Sequence, residues 1–169
     1  MGNLSIQLVR DEVQAEHVRA MAWEFVAWLK QRYPEMLVEI DEYLVNQNFQ
    51  GMLDTLLENF SPPEGECLLA TLDGRPVGIL MLKPYAEGIC EMNRMFVRPQ
   101  GRGHGVARAL CKRLKERARE LGYSTMVLSA LDRHHEALHL YQSLGFKLDK
   151  RQPDAAGSAQ REVQMLLEL

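Results

Sequence analysis

Val97-Arg98-Pro99-Gln100-Gly101-Arg102-Gly103-His104-Gly105-Val106-Ala107-Arg108-Ala109-Leu110 is the stretch that decides how this chain folds. It joins a strand end to a proline turn, three glycines at alternate positions and the start of a helix. Glycine at 101, 103 and 105 permits positive φ and lets backbone N–H groups approach a ligand with no Cβ in the way. Successive N–H groups and the first turn of the following helix make a concave seat of positive potential, suited to phosphate. Charge reinforces the seat: between Arg98 and Arg119 eight cations stand against Glu116 alone, a local +7 in a chain of net charge −3. A basic block inside an acidic protein draws anions, although most of these side chains equally suit a solvated helix face.

Three nucleotide motifs compete for the seat. A Walker A loop needs Gly-Lys-Ser/Thr at the helix start, where Gly105 is followed by Val106 and Ala107. The dinucleotide G-x-G-x-x-G lacks its third glycine, with Val106 or Arg108 in that place, and such a loop would come early in the chain. What remains is R-x-x-G-x-G/A, met by Arg102, Gly105 and Ala107.

Working outward, residues 89–97 read as the strand that feeds the loop. Residues 67–72 and 77–82 read as two strands joined by an Asp73-Gly74 hairpin turn. Leu4, Ile6 and Leu8 alternate as a short first strand. Asp11 then caps a helix whose apolar positions are Val18, Met21, Ala22, Phe25 and Leu29. Pro34 suits the first turn of a second helix carrying Met36, Ile40 and Tyr43 on one face. Met52, Leu53, Leu56, Leu57 and Phe60 suggest a third, and residues 61–65 a loop. Beyond the glycines, Leu110, Cys111, Leu114 and Ala118 form the inner face of a helix that Gly122 ends. Residues 125–131 read as a buried strand, 136–144 as a helix stopped by Gly145, and Val163, Met165 and Leu167 as a last strand after a loose loop at 152–160. The order predicts an α/β fold: a mixed central sheet, antiparallel in its N-terminal meander and parallel at its centre, flanked by helices. Residues 1–169 are expected to form a single domain.

Composition excludes several classes. An apolar fraction of 46% with 25% charged residues describes a folded globular chain. No window nears the roughly 20 apolar residues of a membrane span, and the first residues lack a basic and then apolar leader. Ile6 stands where N-myristoylation wants Ser or Thr. The acidic balance argues against a general nucleic-acid binder. Cys67, Cys90 and Cys111 are widely spaced without C-x-x-C, so neither a disulfide framework nor a cysteine zinc site is indicated. A cytoplasmic protein with no nucleic-acid or membrane partner is expected.

The loop, the strand Glu91-Met92-Asn93-Arg94-Met95-Phe96-Val97 and the segment Ser129–Phe146 together resemble a known family. In that last segment Ala137, Leu140, Tyr141, Gly145 and Phe146 fall in register with N-x-x-A-x-x-L-Y-x-x-x-G-F. The chain is similar to the small bacterial acetyltransferases of the GCN5-related N-acetyltransferase (GNAT) superfamily. The resemblance implies acetyl-CoA as co-substrate and a central strand that splays from its neighbour just before the loop. It implies that backbone at Met95, Phe96 and Val97 binds the pantetheine arm and polarises the thioester carbonyl. It assigns the diphosphate to Arg102, Gly103, His104, Gly105, Val106, Ala107 and Arg108, with His104 giving only its N–H. Tyr141 becomes the partner of the departing thiolate. His134 stands where the family often has the asparagine that touches pantetheine.

Acetyl transfer to an amine needs the amine neutral, a home for the developing oxyanion and a proton for the thiolate. An ammonium of pKa near ~10 must give up its proton, and Glu91 is the candidate base, directly or through water. The alternative for Glu91 is a strand carboxylate paired with Arg94. Asn93, two residues on, shares its face and would orient the water. A phenol near ~10 protonating a thiolate near ~8.5 is uphill by about 2 kcal/mol, so a hydrogen bond from Tyr141 to sulfur counts as much as full transfer. The other reading of Tyr141 is a core tyrosine. Trp23, Tyr33 and Tyr43 are expected to wall the acceptor cleft, and the acidic remainder of the chain favours a cationic small-molecule or peptide amine. A homodimer is one option for assembly. Direct transfer in a ternary complex is preferred to an acetyl-cysteine, because Cys111 lies on an inward helix face.

Two further readings stay open. His135-Glu136-Ala137-Leu138-His139 is a literal H-E-x-x-H, the helix of a zinc hydrolase, with Glu162 a distant third ligand. The helix is short and no downstream histidine follows, so two surface histidines flanking Ala137 is the expectation and no metal is predicted. A module that senses acyl-CoA without turnover is the third option. Metal content separates the first from a transferase, and loss of turnover with retained CoA binding in Glu91 and Tyr141 variants separates the second.

Overall fold

Seven strands form one sheet in the computed structural model, which describes residues 2–149 and 162–169. They are β1 (Leu4–Leu8), β2 (Glu66–Leu72), β3 (Arg75–Ala86), β4 (Ile89–Val97), β5 (Thr125–Leu131), β6 (Lys147–Leu148) and β7 (Glu162–Glu168), in the spatial order β1-β2-β3-β4-β5-β7-β6. The first four run antiparallel as a meander. Asp73 and Gly74 both take positive φ, 53° and 79°, as the tight turn between β2 and β3 requires. β4 and β5 are parallel, and β7 returns antiparallel between β5 and β6.

Helices cover both faces. On one lie α1 (Glu12–Arg32), α2 (Leu37–Asn46), α3 (Phe49–Asp54) and α4 (Leu56–Asn59), packed through Val18, Met21, Val26, Ile40 and Leu53 onto Leu69, Ile79 and Met81. On the other, α5 (Val106–Glu120) and α6 (His135–Ser143) pack through Leu110, Leu114, Ala137 and Tyr141 onto Leu68, Leu80, Met92 and Met126. Asp11 starts α1 with a capping box: its carboxylate accepts from Gln14 N at 2.8 Å while the Gln14 side chain accepts from Asp11 N at 3.3 Å. The layers are tied by Glu66, fully buried on β2, which accepts from Arg10 at 2.7 and 2.9 Å, from Arg117 of α5 at 2.8 Å and from Cys67 N at 3.0 Å.

Two irregularities in β4 matter for function. Met81 pairs with Asn93 but Ile79 pairs with Phe96, so β4 carries one extra residue there, and Arg94 takes it up at φ 54°. The bulge switches the pleat: Cys90 and Met92 face α5, whereas Phe96 faces α1. Along its other edge β4 pairs with β5 only at Ile89–Thr125, Cys90–Met126 and Glu91–Val127. Past Glu91 the two strands part, as the resemblance implied.

The structure differs from the sequence reading in three details. Pro34 opens a 3-10 turn, Pro34–Met36, ahead of the second helix. The third helix is broken at Thr55 into α3 and α4. The two-residue β6 was not anticipated, and the parallel centre is three residue pairs long. The predicted loop at 152–160 lies outside the described residues.

Candidate active site

The parting of β4 from β5 opens a cavity of about 650 Å³ that passes from the α5–α6 side of the sheet to the α1–α2 side. Met95, Ala137 and Tyr141 line it on the α5–α6 side, His134 lines it beside Trp28 of α1, and Glu91, Asn93, Arg94, Tyr43, Glu39 and Glu162 are also in its wall. A strand that loses its neighbour turns main-chain N–H and C=O groups toward the gap, and such groups demand partners.

Glu91 sits at the last rung of the β4–β5 ladder. Asn93 Nδ2 donates to Glu91 Oε1 at 2.9 Å, so the two do share a face, and Lys83 Nζ lies 3.4 Å from the same oxygen. The expected alternative partner, Arg94, is not paired with it: Arg94 Nη1 donates instead to the Asn93 side-chain oxygen. Glu162, considered above as a metal ligand, lines the cavity, where burial and then the Glu91 charge raise its pKa. Tyr43 lines it too, its phenol raised by burial against the lowering effect of Arg94.

Tyr141 is buried, edge-on to Phe146 at 6.0 Å, and burial pushes its phenol well above the ordinary value, so it stays protonated at neutral pH. His134 precedes α6 and packs on Trp28 at 5.2 Å. Burial lowers its pKa and favours the neutral ring. The thiols of Cys90 and Cys111 are pushed up to about 12 by burial, which removes the thiolate a covalent route would need.

At the glycine loop, Gly103 and Gly105 take φ of 80° and 74°, and a Cβ on either would meet nothing within 4 Å. Among the described residues no backbone or capping acceptor takes the N–H groups of residues 103–108. The first helical bond is Ala109 N to Gly105 O at 3.0 Å. This run of open donors at the start of a 15-residue helix fits a diphosphate. Gly101 corrects the expectation: it is buried without positive φ, and a Cβ there would come within 2.9 Å of Val77 Cβ, so it serves packing. The Val106 side chain is likewise in the core, leaving only its N–H for a ligand, while His104 is exposed. Arg102 Nε donates to Val97 O at 3.1 Å, so that carbonyl is not free as expected, and Arg108 donates to Ser143 Oγ at 3.0 Å. Phe96 packs on Phe25 at 5.9 Å, and of residues 95–97 only Met95 lines the cavity.

Trp23 and Tyr33 do not wall the cavity. Trp23 stands edge-on to Phe49 at 4.8 Å, and Tyr33 is buried against Trp28. Trp23 is 41% exposed on α1, and Tyr33 stands just past the end of that helix. Sequence reasoning took Arg94 only as a partner for Glu91 and passed over Glu39 and Lys83. The one cation of the nine-residue strand was the available signal for Arg94. His135 and His139 lie on the exposed face of α6, and no cluster of three metal-ligating side chains occurs among the described residues.

The splayed strands, the donor run and the cavity between them are what the resemblance implied, and comparison with known proteins identifies the class as acetyltransferases of the GNAT type. The Acetyltransferase (GNAT) family profile matches residues 23–146, and the chain belongs to that family. An N-acetyltransferase of Schizosaccharomyces pombe is 37% identical over 120 residues, 67% of this chain and 74% of the relative. Rat N-acetylaspartate synthetase is 39% identical over 90 residues, 52% of this chain and 30% of that protein. The structure of the PaiA N-acetyltransferase of Thermoplasma acidophilum in complex with coenzyme A superposes with a TM-score of 0.73 at 15% identity, covering 99% of both chains. The chain is therefore an N-acetyltransferase. No described helix is long and apolar enough to cross a membrane.

Proposed function

We propose that this chain, as one domain, moves an acetyl group from acetyl-CoA to a primary amine by direct attack inside the cavity between β4 and β5. One observation carries the reading: a single cavity, opened where the strands part, holds Glu91 with Asn93 toward one end and Tyr141 toward the other. The N–H groups of residues 103–108 hold the diphosphate, with Arg102 and Arg108 beside them. The β4 backbone around Met95, with His134 opposite, takes the pantetheine arm. Glu91, oriented by Asn93, removes a proton from the ammonium directly or through a water, which makes the nitrogen nucleophilic. Main-chain N–H groups beyond the last rung polarise the thioester carbonyl, a role that requires donors fixed before the reaction. The protonated Tyr141 phenol donates to the leaving sulfur. Three buried, unpaired thiols suit a reducing compartment, and the proposal places the protein in the cytoplasm.

Thiol release from acetyl-CoA against an amine library tests this. Glu91→Gln should lower kcat by about a hundredfold or more, the usual contribution of a positioned base, and Tyr141→Phe should also lower it. CoA affinity by calorimetry should be unchanged in both. Full turnover in Glu91→Gln would remove the base, and CoA binding without acetylation of any amine would point to a sensor.

A further inference from the structure

Arg94 is the least expected group in the cavity. It is 7% exposed, occupies the bulge at positive φ, and holds its guanidinium over the Phe49 ring with Cζ 5.2 Å from the centroid. Nη1 is committed to the Asn93 side chain. Nε and Nη2 are buried and have no partner. Buried donors are almost always satisfied, and an unsatisfied pair on a charged group is rarer still.

The two free nitrogens are not an arbitrary pair. Nε–H and Nη2–H form one edge of the guanidinium plane, the fork whose spacing matches the two oxygens of a carboxylate. The protein uses that edge elsewhere: Arg98 presents Nε and Nη2 to Glu24 at 2.9 and 2.6 Å. Arg94 has no such partner among the described residues, for the nearby Glu91 is engaged by Lys83 and Asn93. Both atoms lie buried behind the cavity wall that Arg94 shares with Tyr43, so a carboxylate that reaches them must part that wall. The same cavity carries Glu39, Glu91 and Glu162, which suit an ammonium. With Lys83 tied to Glu91, the unpartnered fork of Arg94 and the carboxylates of one void complement a molecule bearing both charges.

Resting on the acetyl-transfer reading above, we infer that the acceptor is an amino acid or other amine bearing a carboxylate, and that the Nε–Nη2 edge of Arg94 binds that carboxylate while the amine points toward Glu91. Arg94 is thus a substrate-binding residue that selects the acceptor. A molecule with the same amine and no carboxylate leaves the fork unpaired, and sites built around such a pairing reject the truncated analogue strongly.

The test sets each proteinogenic amino acid beside its carboxamide in the thiol-release assay, with calorimetric binding of the same pairs to the CoA-loaded protein. The preferred acid should exceed its amide by about a hundredfold or more in kcat/KM. Arg94→Lys, which keeps the charge without the fork, and Arg94→Met should erase that preference mainly through KM, with CoA affinity unchanged. Thermal melting identifies any variant that fails to fold, and the wild-type comparison of acid with amide stands without the variants. Acetylation of amides as readily as acids, or no binding of either, overturns the inference and leaves acetyl transfer to be judged by the library. Tight binding of acids with no turnover supports the inference and overturns the transfer reading.

Discussion

Gly101 and Gly105 stand four residues apart in one loop and are glycine for opposite reasons. Gly101 is glycine because Val77 and Val97 leave no room for a Cβ, Gly105 because its φ is 74° with open space beyond. Gly101→Ala should destabilise the fold by about 1–3 kcal/mol, the ordinary cost of overpacking, while the KM for acetyl-CoA stays close to wild type. Gly105→Ala should cost only about 1 kcal/mol of backbone strain yet raise that KM, because it reshapes the donor run. Thermal melts and acetyl-CoA titrations of the two variants should give this crossed pattern. The alternate glycines were legible as a ligand loop; that one of the three belongs to the core was not, since crowding by Val77 comes from a separate strand, 24 residues earlier in the chain.

Among the elements, α1 is the helix whose start was readable residue by residue. Asp11→Ala removes the capping box and leaves orphan N–H groups in the first turn, for an expected loss of about 1 kcal/mol. Chemical denaturation should register it as a shifted midpoint with an unchanged slope. β4 shows the limit of such reading. Ile89-Cys90-Glu91-Met92-Asn93-Arg94-Met95-Phe96-Val97 suggests unbroken alternation, which puts Phe96 on the face of Met92. The bulge at Arg94 reverses this, and nothing local announces it, because the extra residue is defined only against its partners on β3. Glu91 and Asn93 lie before the bulge and so kept their expected face. Trp23 and Tyr33 lie away from the cavity, and their aromatic character alone could not show this: Trp23 is exposed on α1 and Tyr33 is buried just beyond its end.

For the molecule as a whole, Glu66 is the point where β1, β2, α1 and α5 are held together. Burial alone would raise its pKa, but hydrogen bonds from Arg10, Arg117 and Cys67 N outweigh this and leave it below the ordinary carboxylate value of 4.5. A carboxylate depressed in the folded state adds stability above its unfolded pKa and loses it as pH falls through the folded value. Wild-type Tm should therefore drop on acidification below about pH 4.5, and Glu66→Gln should lessen that dependence. At neutral pH the same substitution should cost about 3 kcal/mol, since Arg117 is mostly buried and Arg10 only half so. Glu66 sits in an apolar strand, and its two arginines are 56 and 51 residues away, a link visible only in three dimensions.

The brief ladder at Ile89, Cys90 and Glu91 has a mechanical consequence. The meander and the C-terminal strands are clasped by those rungs alone on the sheet's midline, with the proposed base at the last of them. On the proposed reading, the molecule that fills the wedge beyond Glu91 stands in for the missing rungs and splints each half of the protein to the other.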